Sequence, residues 1–349
     1  MTNNLKGKDI IVTSDWTKDE LDQILDLAIK LKSKGAASRS LDILKGKTLM
    51  LLFFRTSTRT RTSFQIAMQE LGGFVQCPDP KDLRLSLAEK PGTGETIKDT
   101  ALVLERYVDA LGIRLDDPTL EEGKPPSAEG PDDILRKFAD CTKMPVINLM
   151  TALHHPTQAI ADLMVMQENV GDVRGRKAVM MWAYSPLLRA HASPMSTGLI
   201  GGTYGMHVTF AYPEGYDLHP GVMSLIKEEC SKGGGKLEIS HDLKSALKGA
   251  DFVYPRNWHT LDYHVHTKDE EKRLAAQHKD WRLTDSLMKL TNKGKFIHCM
   301  PFDRGNEVDD SVADGPNSII YDEAENLVHV RKALLASLLV DDKSLLESI

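Results

Sequence analysis

Apolar residues recur along this chain in two rhythms that alternate with one another. In "DWTKDELDQILDLAIKLKSKG", Leu21, Ile24, Leu25, Ala28 and Leu31 return at three- and four-residue spacing, which predicts a helix with one buried face. Thr17 and Glu20 fit the capping box that opens such a helix, and late lysines followed by Gly35 fit its end. "KTLMLLFF" is instead a continuous apolar run, as expected of a parallel strand buried on both faces. Helical spacing resumes from Thr62 through Phe64, Ala67, Met68 and Leu71, and stops at Gly72-Gly73. "ETIKDTALVLERY" then predicts a helix, "DALGIR" and "MPVINLM" strands, and "PTQAIADLMVMQENVG" a helix opened by Pro156.

The alternation restarts near Arg176. "KAVMMWAY", "HVTFAYP", "KLEIS" and "DFVYP" predict strands, and "STGLIGGTYG", "GVMSLIKEECSKGGG" and "DLKSALKGA" the helices between them. "KFIHCMP" and "SIIYDEA" predict two later strands, with "LVHVRKALLASLL" as a closing helix. Strands alternating with helices twice over predict an α/β chain of two doubly wound parallel-sheet domains. The expected boundaries are residues 1–152 and 153–325, with the final helix, 326–349, returning to the first domain. The stretches from Asp82 to Gly94 and from Asp116 to Asp133 are expected to be mobile connections, the second a surface insertion.

Composition narrows the function. A chain of 349 residues, 41% hydrophobic and 27% charged, can bury two ordinary cores. The net charge of −6 argues against a nucleic-acid partner, which needs a basic face, but leaves room for a small anion held by local arginines. Cys77, Cys141, Cys230 and Cys299 have neither CxxC nor zinc spacing and read as isolated reduced thiols. With no signal-like apolar core and no window near the ~18 apolar residues of a membrane span, the expectation is a cytoplasmic protein without a membrane partner.

"FFRTSTRTRTSF", residues 53–64, sits where the first buried strand turns into a helix. In parallel α/β sheets such turns gather ligands, because helix N-termini there present free N–H groups. Ser57, Thr58 and Thr60 add hydroxyls and Arg59 a charged fork, a combination suited to phosphate. The plain alternative is a solvated basic helix start. "HHPTQAIADL" places His155 and Gln158 on one face of another helix start, and "HCMPFDRGNEV" follows an apolar strand with a proline-stiffened turn. No GxGxxG follows a strand, which disfavours a dinucleotide-binding dehydrogenase.

Taken together, these stretches resemble the transcarbamylases, the family of aspartate and ornithine carbamoyltransferases. The S-T-R-T-R signature matches Ser57–Arg61, H-P-x-Q matches His155–Gln158, H-C-x-P matches His298–Pro301, and "AEN" stands at Ala324–Asn326. The resemblance implies attack of an amine on the carbonyl of carbamoyl phosphate, with no metal and no cofactor. It implies that Ser57, Thr58, Arg59, Thr60 and Arg114 hold the phosphate, with Arg114 and His155 on the carbonyl oxygen. Gln158 and the backbone around Cys299 and Met300 would take the carbamoyl NH2. It also implies a homotrimer with shared active sites and closure of the two domains around substrate. Ser86 or Lys90, from "DLRLSLAEKPGTGETIKDTA", would reach a neighbouring subunit's phosphate, and a plain surface lysine stands as the equal alternative for Lys90.

The amine is less legible. Where the ornithine enzymes carry Asp followed by Ser-Met-Gly this chain has "RNWHTLDY", and the H-P-L-P of the aspartate enzymes is His298-Cys299-Met300-Pro301 here. "MMWAYSPLLRAHASPMS" and "FVYPRNWH" resemble a third, knotted branch, which holds the N-acetylornithine and N-succinylornithine enzymes and a sister group of unsettled substrate. A trefoil knot is therefore expected, later chain threading the loop Tyr184–Ser196. Two features depart from the acylornithine enzymes: Met150 stands near the position of their glutamate, and Leu327 replaces the arginine of A-E-N-R, with Arg331 one turn on as a substitute. Arg304, Arg256 and Arg189 are candidates for the second substrate's carboxylate, with Trp258 and Cys299 as lining, each weighed against a scaffold or surface role. Alternatives are an N-acylornithine or ornithine enzyme, catabolic phosphorolysis of a ureido compound, and a catalytically weak trimeric scaffold.

Overall fold

The computed structural model describes residues 4–87, 92–115, 131–341 and 343–347, which form two compact units. The first runs to Thr157 and takes up the chain again from Glu325; the second runs from Gln158 to Ala324.

In the first unit the order is α1 (Lys18–Ser33), β1 (Thr48–Phe53), α2 (Arg59–Glu70), β2 (Phe74–Gln76), α3 (Ile97–Leu104), β3 (Ala110–Arg114), α4 (Pro131–Cys141), β4 (Val146–Met150) and the start of α5 (Pro156–Val170). The strands make a parallel sheet in the order β2-β1-β3-β4. Leu49, Leu51, Leu52, Ile113, Ile147 and Leu149 are fully buried, as the unbroken apolar runs require of a sheet covered on both faces. At the start of α1, Thr17 accepts from the Glu20 N–H and Glu20 accepts from the Thr17 N–H at 3.0 Å. That is the capping box expected from the sequence.

The second unit contains β5 (Lys177–Trp182), α6 (Ala192–Thr203), β6 (His207–Ala211), α7 (Pro220–Gly233), β7 (Lys236–Ser240), α8 (Leu243–Leu247) and β8 (Phe252–Arg256). It continues with α9 (Lys268–Ala275), α10 (Asp285–Met288), β9 (Lys295–Phe296), α11 (Asp310–Ala313) and the start of α12 (Ile320–Leu339), after which α13 (Lys343–Glu347) closes the described chain. Its sheet is parallel in the order β7-β6-β5-β8-β9. No helix among the described residues is long and apolar enough to cross a membrane.

Three expectations are corrected. "SIIYDEA" is not a strand: Ser318 makes a single bridge to Phe296 and α12 begins at Ile320. Its β-branched pair suits a strand, but Asp322 and Glu323 in the first turn suit a helix N-terminus, and the helix prevails. "KFIHCMP" pairs only at Lys295–Phe296, because the N–H groups of His298, Cys299 and Met300 bond to side chains instead of a neighbouring strand. The reading of the segment up to Asp133 as insertion overran α4, whose opening Pro131-Asp132-Asp133 is itself a helix-start signal.

Close helix-to-sheet contact in the second unit depends on Gly198. A Cβ there would stand 2.6 Å from Phe210 Cζ, a rigid ring on β6 that cannot yield as a flexible side-chain end does. Gly198→Ala is expected to lower stability by about 1–3 kcal/mol, read from thermal or urea unfolding. Phe210→Leu added to it should recover part of that loss; strictly additive effects would show that the ring is not the obstacle.

Candidate active site

The register of the first sheet assembles a polar cluster at its carboxyl edge. Phe53 pairs with Arg114 across β1 and β3, so the loop leaving β1 and the last residue of β3 emerge side by side. The Phe54 N–H donates to the Arg114 carbonyl at 3.0 Å and fixes that alignment. Arg114 Nη1 lies 3.4 Å from both Ser57 Oγ and Thr60 Oγ1. Thr58, the N-cap of α2, makes no side-chain cap hydrogen bond, and the first turn holds no acidic residue. By contrast, the starts of α1 and α9 carry both features. The start of α2 is thus basic and lies at the positive end of the helix dipole. Arg59 is half-buried, Thr58 exposed and Thr60 buried.

β4 pairs with β3 and leads into the turn before α5, so His155, which is buried, leaves the neighbouring strand end. His154, its neighbour, bonds Asp132 through Nδ1 at 2.6 Å, and Thr151 Oγ1 donates to the same carboxylate at 2.6 Å. Ser86 is buried with its hydroxyl 2.5 Å from Thr93 Oγ1. Lys90 lies outside the described residues.

In the second unit, Gln158 Nε2 donates to Asp162 Oδ1 at 2.7 Å and to Glu323 Oε1 at 3.1 Å. Two carboxylates around one NH2 group settle which way the amide faces: its nitrogen points to them and its oxygen away. Thr197 Oγ1 donates to Asp162 Oδ2 at 2.6 Å, and Glu323 Oε2 accepts the His298 N–H at 2.7 Å. Both acids are buried to 1% exposure or less. Two such carboxyls in contact cannot both ionise, so they share a proton. Burial is the main cause that lifts Asp162 to about 7, against hydrogen bonds from Thr197 and Gln158; burial and the Asp162 charge hold Glu323 well above the ordinary carboxylate range.

The His298–Pro301 turn has its amides fully used: Cys299 N donates to Tyr254 Oη at 3.1 Å and Met300 N to His298 Nδ1 at 2.7 Å. Met300 adopts a left-handed φ of 52°, uncommon for a side chain of its size, and precedes a cis proline. With three successive N–H groups consumed, the backbone of the turn has carbonyl oxygens rather than N–H groups to offer a ligand.

Behind it lies a charge cluster around Glu307. That carboxylate accepts from the N–H groups of Asn257 at 2.8 Å and Asp303 at 2.5 Å and sits 3.9 Å from Arg189 Nη2. Burial alone would raise it, but His298, Arg256 and Arg189 hold it below the ordinary range. Arg256 is buried and donates to the Pro301 carbonyl at 3.0 Å. Arg304 does not join this cluster: it is exposed and grips Asp310 at 2.7 Å and Asp314 at 2.8 Å. Trp258 is fully buried, its Nε1 donating to the Tyr216 carbonyl at 2.9 Å, and is part of the core.

Sequence reading missed Asp162, Glu323 and Glu307. The first had a signal, a carboxylate one turn beyond Gln158 in an otherwise apolar stretch; the others meet their partners only through the fold. The shared proton has a consequence for stability. Asp162 ionises near 3.8 when unfolded and about 7 when folded, so the folded chain binds more protons across that window. Its stability is therefore expected to fall as pH rises from about 4 to about 7. Glu323→Gln removes the like charge and should flatten that fall by on the order of 2 kcal/mol. Parallel pH curves for the two proteins in urea unfolding would refute the shared proton.

Two family profiles match the chain: the aspartate/ornithine carbamoyltransferase carbamoyl-P binding domain over residues 8–168 and the Asp/Orn binding domain over residues 195–338. The N-acetylornithine carbamoyltransferase of Xanthomonas campestris pv. campestris is 37% identical over 95% of this chain and 97% of its own length. The ornithine carbamoyltransferase of Pyrococcus abyssi is 36% identical over 97% of this chain and 98% of its own. Among solved structures, acetylornithine transcarbamylase complexed with acetylcitrulline has a TM-score of 0.88 at 36% identity, over 96% of this chain and 100% of its own. A variant of N-acetyl-L-ornithine transcarbamylase complexed with carbamyl phosphate and N-succinyl-L-norvaline reaches 0.87 at 36% identity, over 95% of this chain and 99% of its own. With both domains matched in order and relatives aligned along nearly its whole length, this chain belongs to the aspartate/ornithine carbamoyltransferase family.

Proposed function

We propose that this enzyme transfers the carbamoyl group of carbamoyl phosphate to the amine of an amino-acid substrate, giving a ureido product and phosphate. The observation that carries the reading is the contact of Arg114 Nη1 with both Ser57 and Thr60 at the start of α2, a cationic cradle at a strand end. Relatives that share the family's two domains are named for this transfer.

In this reading the hydroxyls of Ser57, Thr58 and Thr60, the first N–H groups of α2, Arg59 and Arg114 bind the phosphate. Arg114 and His155 stabilise negative charge on the carbonyl oxygen as the amine attacks the carbon. Gln158, its amide oxygen turned outward by Asp162 and Glu323, accepts from the carbamoyl NH2, as do carbonyls around Cys299 and Met300. The new C–N bond forms, the tetrahedral oxyanion collapses, the bond to phosphate breaks, and phosphate takes the amine's proton. The second substrate's carboxylate is assigned to Arg189 and Arg256, the two arginines that flank Glu307. Arg304 has less support, because Asp310 and Asp314 already neutralise it, and so has Trp258, whose ring is in the core.

Two further features belong to the same proposal. The loop after Tyr184 bonds to chain far downstream: Ser185 Oγ donates to Asp303 at 2.8 Å, and Asn257 Nδ2 to the Ser185 carbonyl at 3.4 Å. Such bonds support later chain threading this loop as a trefoil knot. An experimental chain path whose ends pull straight would overturn it. A homotrimer, with the segment around Ser86 and Lys90 facing a neighbouring subunit, is the matching assembly. Light scattering should give three times the 38.8 kDa chain mass; a monomer would refute it.

The decisive assay is phosphate release from carbamoyl phosphate with ornithine, N-acetylornithine, N-succinylornithine, putrescine, diaminopropionate and aspartate. One amine is expected to drive release, with kcat/KM falling ~100-fold or more in Arg59→Ala and Arg114→Ala. Arg189→Ala should raise the KM of the amine ~10-fold, and Arg304→Ala should stay within ~3-fold of wild type. Silence with every amine, together with no binding of carbamoyl phosphate, would refute the reaction.

A further inference from the structure

Gln158 is assigned an amide oxygen that accepts from the carbamoyl NH2, yet an amide alone has no preferred sense, because its oxygen and nitrogen fill nearly the same space. Turned over, it would present a donor to that same NH2. The acceptors around it decide the sense. Gln158 is buried, and its Nε2 lies 2.7 Å from Asp162 Oδ1 and 3.1 Å from Glu323 Oε1. Reversal would set the amide oxygen against two carboxylate oxygens inside the core.

Two buried acids in contact are a costly means of holding one amide. Asparagine or glutamine would fill the same space uncharged, but an amide side chain accepts at one atom only. Glu323 accepts at both: Oε1 from Gln158, and Oε2 from the His298 N–H at 2.7 Å. Neither of those partners can change role, since a backbone N–H and an amide NH2 only donate. Asp162 is less constrained. Its Oδ2 accepts from Thr197, whose hydroxyl also reaches the Ser193 carbonyl at 2.9 Å and can donate there while accepting from an amide at position 162. Of the two acids, only Glu323 has to accept at both atoms.

We propose that Glu323 is a positioning residue that determines which acyl group the site selects. It locks the Gln158 amide with its oxygen outward and, through the His298 N–H, holds the turn whose carbonyls are assigned to the same NH2. The site then takes a carbamoyl group and discriminates against an acyl phosphate that carries a methyl group in place of the NH2. In this role Glu323 acts through Gln158 and the turn. The inference rests on the carbamoyl-transfer reading and deepens it.

The experiment measures calorimetric affinity of the full-length protein for carbamoyl phosphate and for acetyl phosphate, its methyl analogue. Wild type should prefer carbamoyl phosphate ~10-fold or more, because a site built to accept from an NH2 rejects the analogue that lacks it. Glu323→Gln sets a donor against the Gln158 NH2 or the His298 N–H. It should bring the preference to within ~3-fold by weakening carbamoyl phosphate alone, as should Gln158→Ala. Asp162→Asn, which removes the same charge but keeps an acceptor for Gln158, should stay within ~3-fold of the wild-type preference. An undiminished preference in Glu323→Gln overturns the proposal, and so does an equal loss for both probes, which a merely structural role would give. Equal loss of preference in Asp162→Asn and Glu323→Gln also overturns it, since charge and not the acceptor pattern would then be responsible. Should Glu323→Gln fail to fold, Glu323→Met, which removes both acceptors, is read in the same way, and a preference kept in Gln158→Ala overturns the proposal in any case. If wild type binds both probes equally, only this inference falls; if it binds neither, the carbamoyl-transfer reading falls.

Discussion

The alignment of β1 with β3 is the constraint on which the first unit's chemistry depends. Because Phe53 stands opposite Arg114, the two strands end together, and a loop and a side chain far apart in sequence meet at 3.4 Å. A shift of one residue would turn Arg114 to the other face of the sheet, since side chains alternate along a strand. The buried runs on both strands resist that shift, so the apolar interior maintains the geometry of a cationic cluster.

The second unit meets the cost of buried charge in another way. Glu307 is saturated by two backbone N–H groups and placed near two arginines, while Asp162 and Glu323 share a proton around Gln158. Both arrangements also order the chain. Glu323 holds the His298 N–H and so sets the start of the turn that contains Cys299 and Met300. Glu323 thereby helps decide which atoms the turn presents, and a buried polar network of this kind has to be complete to be tolerated.

Local pattern alone was enough for most elements: the capping box of α1, the apolar runs of β1 and β4, and the family motifs at Ser57, His155 and His298 depend on neighbours a few residues away. It failed where competing local signals were close in strength, as at Ser318–Ala324, where β-branched residues and early acids argue for different structures. Which of several arginines is buried was beyond it. Arg189, Arg256 and Arg304 look alike in a sequence, and the fold alone gives two of them a place around Glu307 and ties the third to Asp310 and Asp314 at the surface. Local structure follows from spacing along the chain, whereas the meeting of Arg189 and Arg256 with Glu307 follows from folding across fifty or more positions.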